Sequence, residues 1–299
     1  MTRTVAAREG AGVVQVEGEL ISTHQVGAYR HLTIVAPGLP ELARPGQLVA
    51  LAVGDVHPAT LLRRGCFVHR VRPAGSYGGT VEVVVAAQDP GTEQLAGLPT
   101  GSMVGVIGPL GRPFPVPTQP VPCVLVGDGD GSAPLFWLAD VLRGRGCHVE
   151  MVLAAASADR VFGLVEARRS ADGVSVTTGD GSAGTRGSVS DVLPEIITRS
   201  GAGVVYGCGP LGTLRALHEV AQAHGVVAQV AVAGAVPCGA GTCMTCALPV
   251  RDAHGVTSMV RTCADGPVFR SDRVRWDALE DGRCHVPDDA VGAPRPVTR

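Results

Sequence analysis

Four cysteines late in the chain constrain it more than any other feature. They stand in Cys238-Gly-Ala-Gly-Thr-Cys243-Met-Thr-Cys246 and then in Arg261-Thr-Cys263-Ala-Asp-Gly-Pro, a C-x4-C-x2-C-x16-C spacing. Thiolates so spaced can wrap a [2Fe–2S] cluster, and the first three follow the plant-type order. Each iron takes two sulfur ligands, so the backbone must curl around a small object. Gly239 and Gly241 lack a Cβ, which lets amides approach sulfide and lets the chain take φ > 0. Thr242 and Thr245 are small polar residues that could sit near the sulfurs and tune the potential. The rival reading is a four-cysteine zinc site. Such sites usually pair two short-spaced couples, whereas here three cysteines crowd together and the fourth stands alone. A Cys243–Cys246 redox pair would leave Cys238 and Cys263 unexplained. The chain holds nine cysteines, an odd number, and Met1–Glu9 is too polar for a signal peptide, so disulfides are not expected.

A length of 299 residues suggests two or three domains, and 45% hydrophobic content is ample for buried cores. A net charge of -2 points to neither nucleic acid nor an anionic membrane. All 25 basic residues are arginine, which excludes a Schiff-base lysine and a Walker A lysine. No apolar run approaches the ~20 residues of a membrane span. The expectation is a cytoplasmic protein with no membrane or nucleic-acid partner.

Short β-branched runs at 13–16, 31–35, 47–53, 81–85 and 103–107, separated by Gly and Pro, predict a small barrel with no helix before residue 132. Arg63 and Arg64 stand at an apolar strand end. Such a charge calls for an anion, which a flavin pyrophosphate or surface carboxylates would supply. Gly91-Thr92 and Gly108–Gly111 read as turns. Pro113, Pro115, Pro117 and Pro120 mark a boundary. Beyond it come a buried strand at 122–126, the turn Gly127-Asp-Gly129-Asp-Gly131-Ser132, and a helix over 135–145. That order suits a nucleotide phosphate at a helix N-terminus. Ser132 replaces the last Gly of G-x-G-x-x-G, and Asp128 and Asp130 would repel a pyrophosphate that they faced. Strands at 148–154, 174–178 and 202–206 alternate with helices at 157–169, 189–199 and 211–224, which implies a mostly parallel sheet. Cys208, in Gly207-Cys208-Gly209-Pro210, lies at a strand end. It could touch a nicotinamide or simply fill a tight turn. Short strands at 248–250 and 258–261 follow the cysteine loop. From residue 282 a polar, Pro-rich tail is expected to be disordered, with Cys284 a free thiol. His24, His31, His57, His69 and His285 show no spacing that argues for a metal.

These motifs, in this order, resemble the electron-transfer subunits of NAD-dependent dihydroorotate dehydrogenase, members of the ferredoxin–NADP reductase superfamily. The likeness rests on Pro-Gly-Gln at 45–47, Leu-Leu-Arg-Arg at 61–64, Gly-Pro-Leu-Gly at 108–111, the Gly-rich turn ending in Ala133-Pro134, and Tyr206-Gly-Cys-Gly-Pro210. The four cysteines with Asp265-Gly-Pro-Val-Phe269 are its most specific part. It covers roughly residues 13–280. The resemblance implies a multi-domain β plus α/β chain: an FAD-binding β-barrel over 1–112, a parallel-sheet NAD-binding domain over 113–230, a [2Fe–2S] domain over 231–282 and a tail over 283–299. Carried over, Arg64 meets the flavin phosphate and Gly91 and Thr92 a second flavin contact. Gly127, Gly129 and Gly131 form the nucleotide loop, and Cys208, Gly209 and Pro210 the nicotinamide-side turn. Cys238, Cys243, Cys246 and Cys263 ligate the cluster. Gly65 and Phe67 stand where the family has Pro and Ser, so a hydroxyl that would reach the flavin is missing. No residue is assigned to catalysis on an organic substrate. The function implied is electron passage between NAD and a flavin-bearing catalytic subunit, through FAD and the cluster. The alternatives are a reductase subunit of transhydrogenase or sulfite-reductase type, or a cluster-bearing redox sensor.

Overall fold

A computed structural model describes residues 12–53, 62–73, 78–232, 234–280 and 283–292. His57 and Met1–Glu9 lie outside them. The chain starts with a closed barrel. β1 (Val14–Val26) alternates buried Val14, Val16, Gly18 and Leu20 with exposed Gln15, Glu17 and Glu19, so one strand face lines the core. β2 (Tyr29–Val35), β3 (Leu48–Val53), β4 (Arg64–Arg72), β5 (Thr80–Ala86) and β6 (Met103–Leu110) complete the barrel in the order β1-β2-β5-β4-β3-β6. Leu20, Leu32, Ile34, Leu51, Val68 and Val83 fill it.

Two short helices interrupt the barrel, against the expectation of none. α1 spans Leu39–Leu42 and α2 Pro90–Ala96. The Gly91-Thr92 turn is the first turn of α2. Asp89 caps it, Thr92 closes a capping box, and Pro90 occupies the first helical position, where its missing N–H costs nothing.

A 7-stranded sheet follows, in the order β10-β9-β8-β7-β11-β12-β15, where β15 is Val268–Arg270. Its parallel strands are β7 (Cys123–Asp128), β8 (Val149–Ala155), β9 (Gly173–Thr178), β10 (Thr185–Arg186), β11 (Val204–Cys208) and β12 (Val227–Ala231). Helices α3 (Ala133–Gly144) and α4 (Leu164–Ser170) cover one face, and α5 (Val189–Ser200) and α6 (Leu211–Ala223) the other. The expected single helix over 157–169 is a 3-10 turn at 158–160 and then α4, because Gly163 takes φ +74° between them.

The C-terminal part is a hairpin of β13 (Ala247–Arg251) and β14 (Thr257–Arg261), then β15 (Val268–Arg270). β15 joins the large sheet antiparallel to β12. Leu248, Val250 and Trp276 pack into the same core as α5 and α6. The expected disordered tail is ordered over 283–292: β17 (Arg283–Cys284) pairs with β16 (Leu279–Glu280), and Arg275 grips Asp289 at 2.8 Å. Cys284 is a free, exposed thiol.

Tyr206, in the central β11, is 1% exposed and its hydroxyl donates to Pro115 O at 2.9 Å. That bond pins the proline-rich connector to the sheet. Tyr206→Phe removes that bond at a carbonyl that water can still reach and is expected to cost about 1 kcal/mol. The urea midpoint should fall with an unchanged slope; an unaltered midpoint would refute this role for the bond.

Candidate functional site

Strand order reverses between β7 and β11, and the crevice outside their carboxyl ends is where open α/β sheets bind ligands. Two clefts meet there. One, of about 320 Å³, lies between barrel and sheet and is lined by Gly65, Cys66, Phe67, Asp130, Gly131 and Cys208. The other, of about 560 Å³, is lined by Asp128, Gly129, Ala155, Ser188, Pro210 and Thr213 among others.

Arg64 opens β4 at the mouth of the smaller cleft. Its Nε and Nη2 reach Asp89 Oδ1 at 3.1 and 3.0 Å, and Nη1 donates to Leu62 O at 3.0 Å. Gly91 leaves room for it: a Cβ there would sit 2.2 Å from the guanidinium, which would have to swing aside. Asp89 Oδ1 also accepts from the amides of Gly91 and Thr92, at 2.8 and 3.2 Å. Burial acts to raise the Asp89 pKa, but those amides and Arg64 outweigh it and hold the carboxyl below its ordinary value. Thr92 Oγ1 accepts from Asp89 N–H at 3.0 Å, so it serves the cap.

The glycine-rich turn is shaped by its own packing. Gly129 takes φ +59°, which favours glycine. A Cβ on Gly127 would lie within 2.4 Å of Ser132 Oγ, and one on Gly131 within 2.6 Å of Cys208 O. Gly131, Cys208 and Gly209 thus hold the ends of β7 and β11 together. Asp128 turns to α6, where its Oδ2 accepts from Thr213 Oγ1 at 2.5 Å. Asp130 lines both clefts; burial, with Asp128 adding to it, raises its pKa. Burial also raises the Cys208 thiol well above its ordinary value, so it stays a neutral S–H. Ser132 Oγ is buried with no hydrogen-bond partner among the described residues.

The cysteine loop curls as its glycines predict, with φ +62° at Gly239 and +70° at Gly241. Met244 also takes a positive φ, +58°, and is exposed. Cys246 and Cys263 are buried with Sγ atoms 3.2 Å apart; Cys238 is half-buried and Cys243 exposed. Ala240 N–H donates to Cys238 Sγ at 3.3 Å. That amide, with those of Cys243 and Thr242, lowers the Cys238 pKa to about 6, whereas burial pushes Cys263 up to about 12. The loop sits against the barrel. A Cβ on Gly65 would strike Val236 at 2.7 Å, and one on Gly239 would strike Ala50 at 2.8 Å. Phe67 packs both against the buried residues of the sheet and against the group that contains Leu48, Val236, Cys246 and Cys263.

Two groups escaped the sequence reading. Asp89 was legible as a cap from Asp-Pro-Gly-Thr. His31 and His69, which showed no metal spacing, meet at Glu82 across three barrel strands. Hairpin register pairs His24 with His31 and was the available hint.

The family described as the iron–sulfur cluster binding domain of dihydroorotate dehydrogenase B matches residues 235–275. The chain is 37% identical over 235 residues to the dihydroorotate dehydrogenase B (NAD(+)) electron transfer subunit of Bacillus velezensis, covering 78% of this chain and 88% of that one. The subunit of the same name from Desulforamulus reducens is 32% identical over 248 residues, 81% of this chain and 90% of that one. The chain belongs to this family of electron transfer subunits. Among solved structures, an NADH-dependent reduced ferredoxin–NADP oxidoreductase superposes with a TM-score of 0.75 at 26% identity, covering 87% of this chain and 90% of that one. An Amycolatopsis cytochrome P450 reductase shares the fold, with a TM-score of 0.55 at 20% identity over 71% of this chain and 66% of that one. No helix among the described residues is long and apolar enough to cross a membrane.

The contact of Gly131 with Cys208 gives a test. Gly131→Ala forces the β7 and β11 ends apart and should cost about 1–3 kcal/mol. Chemical denaturation measures it; a wild-type midpoint would show that the glycine is not needed for this packing.

Proposed function

We propose that this chain carries electrons between NAD and a flavin-bearing dihydroorotate dehydrogenase catalytic subunit, and that its residues hold FAD, NAD and a [2Fe–2S] cluster. The carrying observation is the adjacency of the cysteine loop and the barrel cleft, with Phe67 in contact with both surroundings. The flavin supplies the change from two-electron to one-electron transfer and the cluster one-electron carriage.

The residues present fit these groups. Among the described residues Arg64 bonds only Asp89 and Leu62, which leaves guanidinium N–H groups beside the cleft that suit a pyrophosphate. Gly91 gives the guanidinium room, and Thr92 fixes the cap that holds Asp89. The turn through Gly127, Gly129 and Gly131 at the carboxyl end of β7, with a Ser132 hydroxyl that has no partner among the described residues, is the proposed place for a nucleotide phosphate. Asp128, bonded to Thr213, is tied to α6. Cys208, Gly209 and Pro210 border the nicotinamide side, where the neutral Cys208 S–H packs and does not act as a nucleophile. Cys238, Cys243, Cys246 and Cys263 ligate the cluster. In Cys238 the amides that lower its pKa already favour the thiolate that ligation needs. Phe67 has no hydroxyl for the flavin and serves as apolar filling between cleft and cluster loop.

On this reading residues 1–112 bind flavin, 113–230 bind NAD and 231–282 bind the cluster. Nine cysteines with no disulfide among them fit a reducing compartment, so the proposed location is the cytoplasm. The likeness to the NADH-dependent oxidoreductase supports one second reading, a reductase subunit serving another partner.

Arg64→Ala should weaken FAD by ~2 kcal/mol, roughly 30-fold in Kd, measured by equilibrium dialysis; retention as tight as wild type would overturn the flavin assignment. A second test reads the division of labour. The isolated chain should reduce artificial acceptors with NADH yet leave dihydroorotate untouched until the catalytic subunit is added. Met244 is exposed at the rim of the cysteine loop. Met244→Glu should impair that coupling with dye reduction nearly intact. Oxidation of dihydroorotate by the chain alone, shown partner-free by mass spectrometry, would sink the two-subunit reading.

A further inference from the structure

A second cluster of metal-ligating side chains lies on the barrel wall, apart from the cysteine loop. His31, His69 and Glu82 come from β2, β4 and β5, which are neighbours in the barrel, and their ligand atoms lie within 4.8 Å of one another. His69 is 3% and Glu82 5% exposed. A cleft of about 600 Å³ opens onto them between the barrel and α4, so an ion has a path in.

The hydrogen bonds decide which lone pairs remain. His69 Nδ1 lies 2.8 Å from Ala133 O. A carbonyl only accepts, so Nδ1 carries the proton and Nε2 keeps its lone pair. A backbone carbonyl behind an imidazole is the usual device for orienting a metal-bound histidine. His31 Nε2 lies 3.3 Å from Glu82 Oε2, and its Nδ1 is buried with no partner among the described residues. A buried polar atom left unpaired calls for an explanation.

Each carboxylate has one oxygen paired with an arginine and the other turned to a histidine. Arg72 binds Glu82 Oε1 at 2.8 Å, which leaves Oε2 facing His31. On α4, Glu166 approaches His69 Nε2 with Oε2 at 3.5 Å, while Arg70 takes its Oε1 at 2.8 Å. The exposed His24 ring sits 4.7 Å from that of His31 at the rim.

We infer that His31, His69 and Glu82 bind a divalent transition cation of the zinc class, with Glu166 beside the fourth position. Two imidazoles and a carboxylate are a borderline N/O set that suits Zn²⁺ and disfavours Ca²⁺ or Mg²⁺, which take oxygen. Tetrahedral zinc needs ligand atoms roughly 3.3 Å apart, which small side-chain rotations provide. The ion would join β2, β4 and β5 and, through His69 and Ala133 O, brace the first residue of α3 just after the glycine-rich turn.

The test uses the intact holoprotein, dialysed free of loose metal and titrated with zinc chloride. Elemental analysis should find one zinc per chain with iron, sulfide and FAD unchanged, and the double variant His31→Gln/His69→Gln should lose that zinc. X-ray absorption at the zinc edge of the wild type, which needs no variant, should show nitrogen and oxygen ligands with imidazole scattering and no sulfur. Sulfur ligands, failure of the wild type to retain zinc, or equal retention by a folded double variant would each overturn the assignment.

Discussion

The cysteine loop rests directly on the end of the barrel, and the redox arrangement depends on that contact. Gly65 leaves room for Val236 and Gly239 leaves room for Ala50, so two glycines on opposite sides let the backbones meet. Leu48, Leu110, Val236, Cys246 and Cys263 are buried together there. Other grips keep the loop from lifting. β15 extends the nucleotide sheet, Arg112 N–H donates to Gly266 O, and Arg215 on α6 donates to Trp276 O and Leu279 O. The C-terminal part is thus held by barrel, sheet and helix at once, and a flavin in the adjoining cleft would lie close to the cluster.

The thiols show how surroundings divide one residue type into different roles. Cys66 and Cys208 lie in the barrel–sheet cleft, where burial raises both pKa values and keeps them protonated. Cys238 belongs to a loop whose amides point at its sulfur, and its pKa falls to about 6. Dehydration favours the neutral form; aimed N–H donors favour the anion. Carboxylates divide in the same way. Asp89, held by two amides and a guanidinium, is below its ordinary pKa, while Asp130, buried beside Asp128, is above it.

Much of the fold was legible. The β-branched run at 13–16 marks the start of β1, which continues to Val26, and the βα series from residue 122 onward predicts the parallel sheet. What escaped were features that need a partner distant in sequence or a single capping contact. α2 forms because one carboxylate satisfies two amides, in a stretch that reads as turn. The segment 283–292 looks like tail on composition, yet Arg275 and Thr257 give it partners. The helix expected from 157 is delayed by Gly163, whose left-handed φ favours glycine.

The sequence by itself determined the local chemistry: four cysteines at one spacing with glycines between them, a glycine-rich turn after a buried strand, and an arginine at a strand end. These are short-range, because backbone curvature and ligand count are set by neighbouring residues. Only the tertiary structure decided which of them meet. It gave the Arg64 guanidinium the space that Gly91 leaves, turned Asp128 to Thr213, and set Phe67 between cleft and cysteine loop. It also brought His31, His69 and Glu82 together from three strands. Barrel closure and sheet order create those contacts, and no spacing along the chain encodes a distance between residues that only the register of separate strands brings side by side.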